Sequence, residues 1–258
     1  MTKANYHTHT YLCGHAEGLP TDYIKKAINI GMVEIGISDH GYLNPKWTGR
    51  MNLNSFENIY LKDINDAISK YSSKISIKKG LELEFHPKYD NLYKYYLTKL
   101  DYLILGQHII EKSDNNIDMF SSLSDNDIVE YKNMVIKGLQ SGYFKILAHP
   151  DLFMYKYKKW NSLTESISRE IIIEAINCGV YLELNANGAR RGTFYNDKYE
   201  TVWNYPRLEF WRIVSEYSNA KVIIGDDAHK IDFLHDSKIE ELLKFGKELN
   251  LNMYDVIF

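Results

Sequence analysis

Nine histidines stand in this 258-residue chain, and seven of them recur at one kind of place. His7 and His9 close a first short β-rich run and His15 follows them; His40 follows a second run, His108 ends a fourth, His149 a fifth, and His229 comes after a seventh. Carboxylates take the same position elsewhere: Glu84 near the end of the third run, Glu183 in the sixth, Asp226 and Asp227 after the seventh. Imidazoles mixed with carboxylates suit borderline divalent metals such as Zn, Mn or Fe. One tetrahedral site takes about four ligands. Seven histidines with Glu84 and Asp227 exceed that, so the pattern predicts two or three ions. A carboxylate between two ions, the part expected of Glu84, bridges them at about 3.5–4 Å. His86, before Pro87, and His235, before the last helix, fall outside the set and read as surface residues. Cys13, between His9 and His15, reads as a buried or half-exposed thiol.

The elements that must position these residues are legible as an alternation. Seven runs rich in Ile, Leu, Val or Tyr are short enough for strands: 4–8, 33–39, 75–85, 101–108, 144–149, 180–185 and 221–226. Helical periodicity appears at 22–31, 55–71, 125–142, 164–179, 208–217 and 236–250, and several of these segments stop at glycine. The second carries Phe56, Ile59, Tyr60, Ile64, Ala67 and Ile68 on one stripe. Strands alternating with helices predict an α/β protein with parallel strands. A doubly wound sheet and a barrel both fit. The first strand lacks a Gly-rich phosphate turn, and every strand delivers His or a carboxylate at its C-terminal end, which favours the barrel and its single mouth. Side chains two apart on a strand share a face, so His7 and His9 pair, Glu183 pairs with Asn185, and Glu82 pairs with Glu84. Glu84, nearer the mouth, is the expected ligand and Glu82 the deeper residue.

Composition bounds the rest. Hydrophobic residues are 45% and charged residues 25%, ordinary for a soluble globular protein, and the length suits one domain spanning 1–258. A net charge of -3 without a basic run argues against a nucleic-acid partner. The N-terminus has no apolar core of a signal peptide, and no stretch is long enough to span a bilayer. Two cysteines make no disulfide framework and fit a reducing cytoplasm. The oligomeric state is not written in the pattern.

YHTHT at Tyr6–Thr10 with His15, SDHG at Ser38–Gly41, GLELEF at Gly80–Phe85, GQH at Gly106–His108, AHPD at Ala148–Asp151, LELNANG at Leu182–Gly188 and GDDAH at Gly225–His229 together resemble the polymerase and histidinol phosphatase (PHP) superfamily, and within it the histidinol-phosphate phosphatases. The resemblance implies a single distorted (β/α)7 TIM-like barrel with a trinuclear centre. Carried over by motif, His7, His9, Glu84 and Asp227 hold one ion, Glu84 bridges to a second held by His108 and His149, and His15, His40 and His229 hold the third. It also implies cleavage of a small phosphomonoester, L-histidinol phosphate, through in-line attack by a metal-bridging hydroxide.

On this reading the catalytic work falls to Glu84, Asp227, His229 and His40, with His40, His229, Asp39 and a metal-bound water as candidate proton donors. Arg190 or Arg191, in the long segment 186–207, offers bidentate hydrogen bonds to phosphate. Glu183 and Glu17, with Trp47 and Tyr195, are candidates for the rest of the substrate, and Asp39 is both a substrate-side candidate and an orienter of a ligand imidazole. The competing readings are a related phosphoesterase for another small phosphate or nucleotide, differing in the loops 43–54 and 186–207, a metal-dependent amidohydrolase, and a scaffold that has lost catalysis.

Overall fold

The computed structural model describes residues 2–112, 115–196 and 199–258. All seven expected strands are present, most of them much shorter than the run that predicts them: β1 Ala4–Asn5, β2 Glu34–Ile37, β3 Ser76–Leu83, β4 Tyr102–Leu105, β5 Ile146–Leu147, β6 Tyr181–Asn185 and β7 Val222–Gly225. They pair in chain order and in parallel, with Ile35 opposite Ile77, Leu81 opposite Leu103, Leu105 opposite Leu147 and Leu182 opposite Val222. Among the described residues β7 and β1 form no ladder. Thr8 instead makes a single parallel bridge to Ala228, through His9 N to Ala228 O at 2.9 Å and Ala228 N to His7 O at 3.3 Å. The sheet is therefore a nearly closed, distorted barrel.

Helices α1 Pro20–Asn29, α2 Leu61–Tyr71, α3 Asp90–Leu97, α4 Asp125–Gln140, α5 Ser162–Cys178, α6 Leu208–Ser215 and α7 Ser237–Glu248 surround it. Their ends follow side-chain chemistry. Ser124 and Asn161 cap the first-turn N–H groups of α4 and α5, and Gly179 takes the left-handed turn that ends α5. Helix α3 escapes sequence reading because its DNLYKYYL stretch is rich in Tyr, a middling helix former, yet Tyr93 and Tyr96 lie three apart and bury one face. Ahead of α2 a π-turn at Phe56–Tyr60 inserts an extra residue. It breaks the expected stripe: Phe56, Tyr60, Ile64 and Ala67 are buried, while Ile59 turns out to solvent.

Alternation along β4 divides the core. Leu103 and Leu105 pack outward against the helices, while Tyr102 and Ile104 point into the barrel with Ala4, Tyr6, Ile146, Ala148 and Ile223. Tyr102 crosses the interior and donates to Tyr6 O at 2.6 Å. Burial of such a ring contributes about 1.5–3 kcal/mol. This plug fills the barrel below the mouth, so the polar strand ends stand on a packed floor. Two hairpins flank that mouth: Ile109–Ile110 with Ile117–Asp118, after β4, and Thr193–Tyr195 with Thr201–Trp203, after β6. The segment expected as one long loop at 186–207 thus contains a short helix, Ala186–Arg190, and a hairpin. No described helix is long and apolar enough to cross a membrane.

Candidate metal centre

The strand ends bring the seven histidines to one place. His7 and His9 leave β1 with Nε2 atoms 3.0 Å apart. His9 stacks on His229 at 4.1 Å and lies 4.3 Å from His40, ring centre to ring centre. His15 closes that side at 5.2 Å from His40 and 5.0 Å from His229. His108 and His149 stand together on the other side, 4.7 Å apart.

Glu82 lies between the two sides. Its Oε1 faces His149 Nε2 at 3.0 Å and His108 Nε2 at 3.6 Å. Its Oε2 faces His40 Nδ1 at 3.0 Å, His7 Nε2 at 3.4 Å and His9 Nε2 at 3.5 Å. This corrects the expectation for Glu84, which stands outside the cluster, its carboxylate paired with the Arg50 guanidinium and 3.2 Å from His108 Nδ1. Strand parity put both glutamates on the correct face. It does not fix depth, and the imidazoles converge one layer lower, level with Glu82.

Asp227 completes the group from the loop after β7, with His9 Nε2, His229 Nδ1 and His7 Nε2 at 3.0, 3.3 and 3.8 Å from its Oδ1. Its other oxygen accepts from Asn185 and Asn187 at 3.0 and 3.2 Å, so the LELNANG segment holds it. His149 and Asp227 both take positive φ angles, 32° and 45°. Such backbone is costly for non-glycine residues and recurs where side chains are held in a functional pose.

The carboxylates expected to meet substrate are instead buried behind the imidazoles. Glu183 accepts from Asn185 at 2.8 Å and from the His149 amide at 3.2 Å, and lies 2.7 Å from His7 Nδ1. Asp39 accepts from Thr10 and the His40 amide and sits 3.5 Å from His9 Nδ1. Both stand behind the imidazoles, where they can orient the rings, and neither lines the cleft: for Glu183 this corrects the expected substrate-side role, and for Asp39 it leaves, of its two expected parts, that of orienter. Glu17 is exposed, and its backbone alone takes part, donating to His229 O. Trp47 is buried edge-on against Tyr89, and Tyr195 is exposed on its hairpin. Arg190 is also corrected: its guanidinium binds Asp236, Asp226 O and Phe233 O, away from the mouth. Arg191 does line the cleft, lying over the Phe120 ring. His86 is half-buried and caps the turn at Pro87–Tyr89. His235 is half-buried rather than a surface residue, 3.1 Å from Thr2 Oγ1.

The cleft holds about 170 Å³ above the cluster, and among the wall residues not read from the sequence are these four: Arg50, Asp118, Phe120 and Tyr205. All four lie in loops or a hairpin, where no periodicity marks an inward face. Arg50 is in the segment 43–54 already expected to tune specificity, and the basic residue beside Gly49 was the available signal.

The electrostatics are those of a cation site. Burial opposes charge on Glu82 and Asp227, but the surrounding imidazoles hold both well below the ordinary carboxylate range. Burial likewise opposes charge on His7 and His9. The carboxylates around them outweigh it and raise both, His9 to about 9. Burial and neighbouring positive charge lower His40 and His15, and burial also lowers His108. The donors also fit an ion by their hydrogen bonding. Asp227 Oδ1, which faces the cluster, is buried without an aligned hydrogen bond. Donor atoms of His7, His9 and Glu82, of His9, His40 and His229, and of His40, Glu82 and His108 each fall within 4.8 Å of one another. Nitrogen and carboxylate oxygen in this mixture suit Zn, Mn or Fe.

Fold and site together define a barrel protein with a buried cluster of imidazoles and carboxylates at its mouth, a donor set consistent with a metal site. The chain belongs to the PHP domain family, whose model matches residues 5–187. It is 24% identical over 255 residues to a probable histidinol-phosphatase of Deinococcus radiodurans, covering 93% of this chain and 92% of that protein. It is 23% identical over 259 residues to the histidinol-phosphatase of Lactococcus lactis (95% and 91%) and 27% identical over 252 residues to a probable phosphatase of Thermoanaerobacter sp. strain X514 (95% and 85%). The fold matches the crystal structure of histidinol phosphate phosphatase from Lactococcus lactis complexed with zinc, L-histidinol and phosphate, at a TM-score of 0.71 and 19% identity over 98% of this chain and 95% of that one.

Proposed function

We propose that the chain is a metal-dependent phosphomonoesterase that hydrolyses L-histidinol phosphate to L-histidinol and phosphate, with residues 1–258 working as one catalytic barrel. The observation that carries this reading is Glu82, set between two groups of imidazoles at the floor of a cleft that also carries Arg191. His7, His9, Glu82 and Asp227 would hold one divalent ion, Glu82, His108 and His149 a second, and His15, His40 and His229 a third, Zn, Mn or Fe being suited to each. Bound ions would supply Lewis acidity toward phosphate oxygens and lower the pKa of water at the site.

The remaining work falls to side chains of this chain. Arg191 donates to non-bridging phosphate oxygens, its plane held against Phe120. Asp118, on the hairpin wall, offers a carboxylate to an ammonium group, and Phe120 and Tyr205 offer aromatic faces to an imidazole. Glu183 and Asp39 keep His7 and His9 aimed at the cluster. Asp39 drops out as proton donor because its oxygens are already engaged; His40 and His229, which line the cleft, keep that candidacy. The relatives named as histidinol-phosphatases support the substrate. Likeness to the probable phosphatase, at slightly higher identity, favours the second reading, a PHP phosphatase for another small phosphate.

Phosphate release by protein loaded with Mn or Zn, comparing L-histidinol phosphate with a panel of phosphomonoesters and nucleotides, tests both. A kcat/KM on L-histidinol phosphate at least about 100-fold above the panel, about 2.7 kcal/mol of transition-state preference, is the expected result. Broad activity without that preference selects the second reading, and none with metal bound overturns both.

A further inference from the structure

Arg50 is a cation that the donor cluster does not need. It lies in the loop after β2, 9% exposed, and lines the cleft beside His15, His40 and His108. A guanidinium next to a site that gathers cations is opposed by like-charge repulsion unless an anion shares the space. Glu84 supplies part of that charge. Arg50 Nη2 pairs with Glu84 Oε1, Nε lies 3.4 Å from Oε2, and Nη1 donates to Gly49 O at 2.9 Å. These bonds use three of the five N–H groups of a guanidinium. They fix its plane and leave one N–H on each terminal nitrogen. Glu84 also lies against His108 Nδ1, so the same carboxylate ties the position of Arg50 to a residue of the cluster. Strands β2 and β6 stand well apart in the order β1 to β7. Arg50 and Arg191, from the loops that follow them, therefore approach the cleft from different walls.

We infer that Arg50 is a second anion-binding residue of this cleft, aimed by Glu84 at the phosphoryl group that Arg191 engages from another side. The inference rests on the phosphomonoesterase reading for the identity of the anion and assigns Glu84 a positioning role. Two forked donors on separate walls fix the orientation of a tetrahedral anion, which a single one leaves free to rotate.

The test uses metal-loaded protein and inorganic phosphate as the probe. Phosphate affinity by calorimetry, bound metal by elemental analysis, and kcat and KM on L-histidinol phosphate are measured for wild type, Arg50→Met and Arg50→Lys. Arg50→Met is expected to weaken phosphate binding about 10- to 100-fold at unchanged metal content, and Arg50→Lys to recover part of it, because lysine restores the charge without the fork. Phosphate affinity that stays at the wild-type value, or that falls only in step with lost metal, overturns the assignment. If the apolar variant fails to fold, Arg50→Lys decides alone: weaker phosphate binding at equal metal content supports the clamp, and equal affinity rejects it. Arg50-dependent phosphate binding in a protein that hydrolyses no phosphomonoester would uphold the anion site while sinking the enzymatic reading. Hydrolysis with phosphate affinity indifferent to Arg50→Met would do the reverse.

Discussion

At the scale of single residues, Glu82 and Glu84 are two positions and one barrel layer apart, and that separates their expected phenotypes. Glu82→Gln removes a carboxylate facing five imidazoles. It should cost roughly 1,000-fold or more in kcat/KM, together with bound metal. Glu84→Gln disturbs only the aim of His108 and Arg50 and should cost about 10- to 100-fold. Kinetics with metal analysis on both variants makes the comparison, and equal losses would count against the layered placement. The residues that were legible in the sequence, His7, His9, His40, His108, His149, His229 and Asp227, were so because strand ends impose direction on whatever stands there. Depth was not legible, because a two-residue period repeats without marking which repeat meets the neighbours. Nor was the choice between Arg190 and Arg191, since the short helix at Ala186–Arg190 turns consecutive side chains to different sides.

Elements act on the site through close approach. A Cβ added at Gly106, just past β4, would lie 2.0 Å from Glu82 Oε1, and one added at Gly225, ending β7, would lie 1.8 Å from Glu183 Oε1. The glycines that open GQH and GDDAH are thus the clearance for two carboxyl groups. Gly106→Ala should displace Glu82, cost about 1–3 kcal/mol by overpacking, and lower metal content, checked by denaturant unfolding with elemental analysis. The two arginines after β6 should separate as well. Arg190 joins its short helix to Asp236, the N-cap of α7. Arg190→Ala should therefore lower stability by about 1.5–3 kcal/mol with little change in KM. Arg191→Ala should leave the melting temperature near wild type and reduce kcat/KM about 10- to 100-fold. A swapped outcome would mean that Arg190 faces the substrate. The seven strands and six of the helices were readable from periodicity, whereas α3 and the π-turn ahead of α2 depend on aromatic packing against neighbours that the local pattern does not contain.

Across the whole molecule, the cluster gathers side chains from the ends of six of the seven strands, all but β6, so ions held there would bind the folded chain far better than the unfolded one. An ion present at 100 times its Kd adds about 2.7 kcal/mol, and each kcal/mol is worth about 2–4 °C in a chain of 150–250 residues. Complete chelation should lower Tm by about 5–10 °C per ion lost on these figures, and reloading with Zn or Mn should restore it. A Tm indifferent to chelation would argue against ions that join separate strands.

The incomplete seam between β7 and β1 then acquires a kinetic meaning. His7 and His9 stand on one lip and Asp227 and His229 on the other, stitched by the Thr8–Ala228 bridge and by the Glu17 N–H to His229 O. An ion gripped from both lips is a clasp. Releasing it requires the lips to part, so metal escape and breathing of the barrel become one event with one rate. Deuterium uptake at the His9 and Ala228 amides would report that rate directly, fast in the stripped protein and slowed to the pace of metal loss in the loaded one.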